Sequence, residues 1–228
     1  GTLQALKPGV EAKTSQMPKL GAGQYNAEIS SLMAARPEVI HSSFWGGDLE
    51  GFVVQALPRG LFRNTLTVLT AGETATHRAN NQIPTGTIIG ARGPHAAFAP
   101  DNELNRWLRA SYREQFTADP SYPSSQMTQT LLGLKAAYEK AQAANEGKAP
   151  STEQVVSAFE HLTFESPSGD VTMSLGKGHQ AVQGTTLGVV KNDKGVISYT
   201  DLRHFKPEEV TPPEGVKSID WIKGGLKH

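Results

Sequence analysis

The stretch Pro37-Glu38-Val39-Ile40-His41-Ser42-Ser43-Phe44-Trp45-Gly46-Gly47-Asp48 narrows the possible folds more than any other part of this chain. A short apolar strand over Glu38–Phe44 ends in an aromatic pair. Two glycines follow, then an acid suited to the first turn of a new helix. A strand that passes so directly into a helix is the building step of α/β folds. In an open α/β sheet, small ligands bind in the crevice beyond the carboxyl ends of the strands. At that edge Trp45 offers a flat apolar surface. Gly46 and Gly47 let backbone N–H groups come close to a ligand.

The rest of the first half repeats the alternation. Val10–Met17 alternates loosely and reads as a strand, and Pro18–Gly23 as a loop. Tyr25–Ala35 carries Ile29, Leu32 and Met33 on one helical face and stops before Pro37. Asp48–Leu57 reads as a helix with Leu49, Phe52, Val53 and Ala56 inward. Leu66–Thr70 and Thr87–Ala91 read as short buried strands. This pattern predicts a parallel, doubly wound α/β sheet. In the second half, Asp101–Phe116 reads as an amphipathic helix with Leu104, Trp107, Leu108 and Tyr112 inward. Ser124–Ala144 reads as a longer one with Met127, Leu131, Leu134 and Tyr138 inward. After a polar linker, Thr152–His161 reads as a third helix. Val171–Met173 is then a strand. Thr185–Lys191 and Val196–Phe205 form a hairpin around a four-residue loop, Asn192–Gly195. The tail after Pro207 is expected to run over the surface.

Composition excludes several functions. The chain has 228 residues, enough for one large domain or two small ones. Lys+Arg and Asp+Glu balance at 22 each, which gives no electrostatic basis for binding nucleic acid. No apolar run approaches the ~18 residues of a membrane span. Cysteine is absent, which excludes disulfides and thiolate chemistry. Thr2–Lys7 reads as the last turns of a helix stopped by Pro8-Gly9. A chain opening inside an uncapped helix is expected to be shortened at its N-terminus, so the lack of a visible signal peptide does not bear on compartment.

Enzymatic motifs fail one by one. Gly21-Ala22-Gly23 follows a strand, but Asn26 stands where a dinucleotide fingerprint needs its third glycine, and Ser42 and Ser43 lie where it needs an acid. His41, His77, His95, His161, His179, His204 and His228 show no metal-ligand spacing. No nucleophile elbow or phosphate loop is present. Ser42 and Ser43 read as strand-end hydrogen-bonders, and Trp107 as core packing. Glu73 remains. It lies just past the Leu66–Thr70 strand, at the same sheet edge as Trp45 if the two strands are parallel, where a carboxylate can receive an ammonium group. His95 also follows a strand and could line a crevice, but it reads more readily as a loop residue.

The order of elements resembles the C-terminal part of the type I periplasmic solute-binding proteins of branched-chain amino acid ABC transporters. The resemblance is carried by Gly23–Ile29 followed by Ala35–Ile40, by Gly47-Asp48 through Gln55-Ala56 to Gly60-Leu61, and by Pro84–Ile89. It continues through Asn105–Phe116 with Pro120-Ser121-Tyr122, and ends with Gly169-Asp170-Val171 and His179–Gln183. Asn26 departs from the pattern, where an acid is usual. The resemblance implies a bilobed receptor that traps a solute between its lobes without chemistry or cofactor. It implies that an aromatic near Trp45 and the Glu73 carboxylate face the ligand, with Glu73 taking its ammonium. Ser43, Phe44, Gly46, Gly47, Asp48 and His95 are the further candidate ligand-binding residues of this chain. The resemblance also implies that the first half of the N-terminal lobe, which holds the ligand's carboxylate, lies outside this chain.

The resemblance divides the chain into 1–95, a C-terminal-lobe α/β half, 96–175, part of an incomplete second lobe, and 176–228, a hairpin and tail returning across the hinge. The partners it implies are a small-molecule ligand (an amino acid, amide or aromatic acid) and a membrane ABC permease, with no nucleic acid. The full-length protein would be a monomer in the periplasm, or lipoprotein-anchored outside the cell. The competing expectations are a ligand-sensing regulatory domain of the same fold and, third, a Rossmann-type enzyme.

Overall fold

A computed structural model describes residues 2–74, 76, 82–90 and 93–227. His77, Ala91, Arg92 and His228 lie outside the described residues. In chain order the helices and strands are α1 (Thr2–Leu6), α2 (Asn26–Ala35), β1 (Val39–Ser42), α3 (Gly46–Ala56), β2 (Leu66–Leu69), β3 (Ile88–Gly90), α4 (Glu103–Phe116), α5 (Tyr122–Ala144) and α6 (Thr152–Phe159). They continue with β4 (Thr163–Phe164), β5 (Val171–Ser174), α7 (Leu175–Gly178), β6 (Gln180–Val182), β7 (Thr185–Asp193), β8 (Val196–Phe205), α8 (Pro207–Val210) and α9 (Ser218–Lys223). Among the described residues, no helix is long and apolar enough to cross a membrane. The chain divides into two compact units, Gly1–Arg92 with Thr186–Arg203, and Gly93–Thr185 with His204–His228.

The first unit is built on a five-stranded sheet in the order β1-β2-β3-β7-β8. β1, β2 and β3 run parallel, with Ser42 opposite Leu69 and Leu69 opposite Ile89. β7 joins β3 antiparallel, so the C-terminal hairpin extends the parallel sheet. Burial alternates with the pleat. Ile40, Thr67, Leu69, Ile89 and Val190 are buried, while Val39 and Leu66, paired on the other face, stay 49% and 47% exposed. Much of the rest of the core comes from Tyr25, Ile29, Leu49, Phe52, Val53 and Ala56 on α3, on α2 and just before it.

Two local expectations fail in this unit. Residues 10–17 form no strand. β1, the nearest strand in sequence, ends the sheet and pairs only with β2, and Gln16 Nε2 instead donates to Ser31 Oγ on α2 at 2.9 Å. The hairpin loop is also shorter than the expected four residues. Lys194 and Gly195 alone connect β7 to β8, with φ of +50° and +91°, the signs that a tight two-residue turn demands. Asn192 Oδ1 accepts from Gly195 N and closes the turn at 2.9 Å.

The second unit packs α5 and α6 beside a three-stranded antiparallel sheet, β4-β5-β6. The starts of α4 and α6 are capped by side chains. Asn102 accepts from Asn105 N at the head of α4, and Ser151 with Gln154 forms a reciprocal capping box on α6. Here the expected inward faces are wrong. On α5 the buried positions are Ser125, Gln129, Gly133, Ala137 and Ala141, while Met127, Leu131, Leu134 and Tyr138 are exposed. On α4, Leu108 is buried as expected, but Trp107 is 55% exposed. The tail is also more than a surface strap, because α9 buries Trp221.

Candidate functional site

Parallel pairing brings two strand ends to the same edge of the first unit. Ser42 O, the last carbonyl of β1, accepts from both Thr70 N (3.1 Å) and Thr70 Oγ1 (3.0 Å), just past β2. The segments 43–48 and 70–74 therefore leave the sheet side by side at its carboxyl edge. This is the edge that α/β architecture offers to ligands.

Each expected residue has a distinct setting there. Ser43 is exposed. Phe44 turns into an aromatic cluster, with ring centroids 5.4 Å from Tyr25 and 5.6 Å from Phe52. Trp45, extended at the N-cap of α3, is 54% exposed. Gly46 has φ +55°, a conformation that disfavours a side chain. Among the described residues, a Cβ on Gly47 would meet nothing within 4 Å, so none of them requires glycine there. The opening lets a ligand atom approach the backbone.

Asp48 faces back into the protein. Its carboxylate accepts from Gly21 N at 3.0 and 3.2 Å and from Tyr25 Oη at 2.5 Å. The Gly21 amide first, and then the Tyr25 hydroxyl, hold its pKa below the ordinary carboxylate value, with slight desolvation opposing them. Burial first, and then the hydrogen bond to Asp48, raise the pKa of Tyr25.

Glu73 lies in a short 3₁₀ turn, Gly72–Thr74, directly after the end of β2. It is 4% exposed. Gly72 makes this position possible: a Cβ there would come within 2.9 Å of Leu69 Cβ and 3.0 Å of Ile89 Cγ1. The turn is fastened by Thr76 Oγ1, which donates to Glu73 O at 2.8 Å.

His95 belongs to the second unit and the other seven residues to the first. It is buried, with Nδ1 3.1 Å from Gly93 O and its ring 5.9 Å from Tyr122 and 6.1 Å from Phe98. Among the described residues, no group of three or more His, Cys, Asp or Glu side chains could hold a metal ion.

Two residues important to this edge, Tyr25 and Gln55, lie in stretches that carry the family resemblance, which assigns them no role at the site. Tyr25 is fully buried, and Gln55 Oε1 accepts from Tyr25 N while its Nε2 donates to Gly23 O, at 2.9 and 3.0 Å. The sequence does hold one signal for them. Gly51 lies on the same side of α3 as Asp48 and Gln55, and a Cβ there would lie 3.3 Å from the Tyr25 ring.

Comparison with known structures places this geometry in context. An amino acid ABC transporter substrate-binding protein from Pseudomonas fluorescens Pf-5 superposes with a TM-score of 0.67 at 20% identity, over 87% of this chain and 52% of its own. A leucine-binding protein from Thermotoga maritima gives 0.62 at 15% identity, over 80% and 49%. An ABC transporter solute-binding protein from Rhodopseudomonas palustris BisB5, in complex with 3,4-dihydroxybenzoic acid, gives 0.65 at 18% identity, over 81% and 49%. The chain thus spans about half the length of these proteins, and the likeness is one of fold. No curated protein matches the chain. The periplasmic binding protein family model matches residues 2–195. With most of its length matched, the chain belongs to the periplasmic binding protein family.

Proposed function

We propose that this chain is part of the substrate-binding component of an ABC transporter and captures a small polar solute for import by a membrane permease. The observation that carries the reading is the carboxyl edge of the first sheet, where exposed Trp45 and the open backbone at Gly47 adjoin the segment bearing buried Glu73. In this reading Trp45 walls or stacks on the ligand, and Ser43, Gly46 and Gly47 hydrogen-bond it. Glu73 takes a cationic group. Phe44 and Asp48 support the wall from behind. The two compact units are parts of the family's two lobes, and the protein works in the periplasm as a monomer without catalysing a reaction.

The solved relatives include amino acid and leucine binders as well as a dihydroxybenzoate complex. A carboxylate at Glu73 supports an amino acid over an aromatic acid anion, because like charges repel while a carboxylate–ammonium hydrogen bond is charge-assisted. Calorimetric titration with amino acids, amides and aromatic acids tests the proposal. A compound that binds without being converted is expected. Its affinity should fall about tenfold in Glu73→Gln, the scale of one charge-assisted hydrogen bond. Turnover of the bound compound would overturn the receptor reading. Unchanged affinity in Glu73→Gln would overturn the assignment of a cationic ligand group.

A further inference from the structure

The segment Phe44–Asp48 is gripped at both ends by one residue outside it. The Tyr25 ring packs on Phe44 at 5.4 Å, and the Tyr25 hydroxyl donates to Asp48 at 2.5 Å. Between these two points lie Trp45, Gly46 and Gly47. Two glycines in succession leave a segment soft, because neither has a side chain to restrict it. Gly46 and Gly47 open the first turn of α3, and the anchors at the two ends add to the restraint that this turn supplies. Tyr25 is itself fixed: it is fully buried, Gln55 accepts from its backbone N–H, and the Phe52 ring meets it edge-on at 6.3 Å. Gly51 admits the ring against α3. A second tie reinforces the Asp48 end, where Gly21 N donates to the same carboxylate.

We propose that Tyr25 is a positioning residue that clamps the Trp45–Gly47 segment from both sides and so sets the orientation of Trp45 at the sheet edge. The ring half of the clamp is apolar and shared with the core. The hydroxyl half is a single hydrogen bond, removable by Tyr25→Phe with the ring kept. Its importance for binding rests on the solute-receptor reading, but the clamp itself is testable without ligand, so the two can fail separately.

The experiment uses protein labelled with 5-fluorotryptophan, which reports its three tryptophans separately by ¹⁹F NMR; Trp45→Phe assigns the Trp45 signal. In Tyr25→Phe the Trp45 resonance is expected to shift and broaden while those of Trp107 and Trp221 stay in place. The Asp48 carboxyl, followed by ¹³C NMR, should titrate at higher pH than in the parent, a change that loss of ring packing alone would not cause. Asp48→Ala, which keeps the whole Tyr25 ring and hydroxyl but removes the acceptor, should move the Trp45 signal in the same way and covers the case in which Tyr25→Phe does not fold. An unmoved Trp45 resonance in a folded variant would overturn the proposal, as would equal shifts at all three tryptophans.

Discussion

In α3 the buried residues are Leu49, Phe52, Val53 and Ala56; in α5 they are Ser125, Gln129, Gly133, Ala137 and Ala141. The large apolar side chains of α5 (Met127, Leu131, Leu134 and Tyr138) are instead 39–60% exposed. Both helices carry an apolar stripe at helical spacing, so periodicity alone treats them alike. What separates them is the distance to the neighbour. α3 faces an aromatic cluster of Tyr25, Phe44 and Phe62 that accepts large side chains. α5 lies so close to β4 that a Cβ on Gly133 would fall 2.7 Å from Phe164 Cζ. It meets α6 through Ala137, Ala141 and Ala158. Which stripe is buried is decided by how closely the partner approaches, because close packing leaves room only for small residues on that side.

Substitutions can break this contrast. Leu49→Ala should cost ~2–5 kcal/mol, the range for deleting a buried leucine side chain; urea denaturation measures it. Gly133→Leu should destabilise by ~1–3 kcal/mol or more by overpacking against Phe164. A neutral result would mean that α5 does not sit on β4 as described. Asp119 gives a smaller effect that depends on pH. Partial burial raises its pKa, but hydrogen bonds and charge from Arg109 and Arg113 outweigh this and lower it overall. Its contribution is therefore fully present above the unfolded carboxylate pKa and is lost as pH falls through the lower folded value. The side chains are partly exposed, so the effect stays below ~1 kcal/mol. Asp119→Asn should flatten that part of the stability–pH curve in denaturation series. Smallest of all, Leu131→Ala should change stability by under ~0.5 kcal/mol, as for other exposed positions. A loss comparable to that of Leu49→Ala would show that the outward stripe of α5 is buried after all.

The comparison also explains how much was legible in the sequence. Helices and strands emerged where periodicity, capping chemistry and turn residues agreed, as in α3, α4 and the β7–β8 hairpin. The alternation of strand and helix was enough to locate the sheet's carboxyl edge, and with it the neighbouring segments that carry Trp45 and Glu73. Burial direction was not legible for α5, because a stripe of Gly, Ala and Ser carries a weak hydrophobic signal yet permits the closest contact. The Val10–Met17 strand failed because strand formation depends on a pairing edge elsewhere in the fold. The helix-start acid Asp48 was legible, but its bonds to the Gly21 amide and the Tyr25 hydroxyl were not, because spacing along the chain does not show which distant groups an acid meets. His95 followed a strand as expected, yet it packs among the aromatics of the second unit.

The central claim is that the edge carrying residues 43–48 and Glu73 takes a small solute. Backbone amide shifts of ¹⁵N-labelled protein, titrated in turn with leucine, phenylalanine and 4-hydroxybenzoate, test it most directly. The account predicts saturable shifts for an amino acid that concentrate in the first unit at Ser43–Asp48 and Glu73. Saturable shifts confined to the rest of that unit, with these residues unmoved, would contradict it.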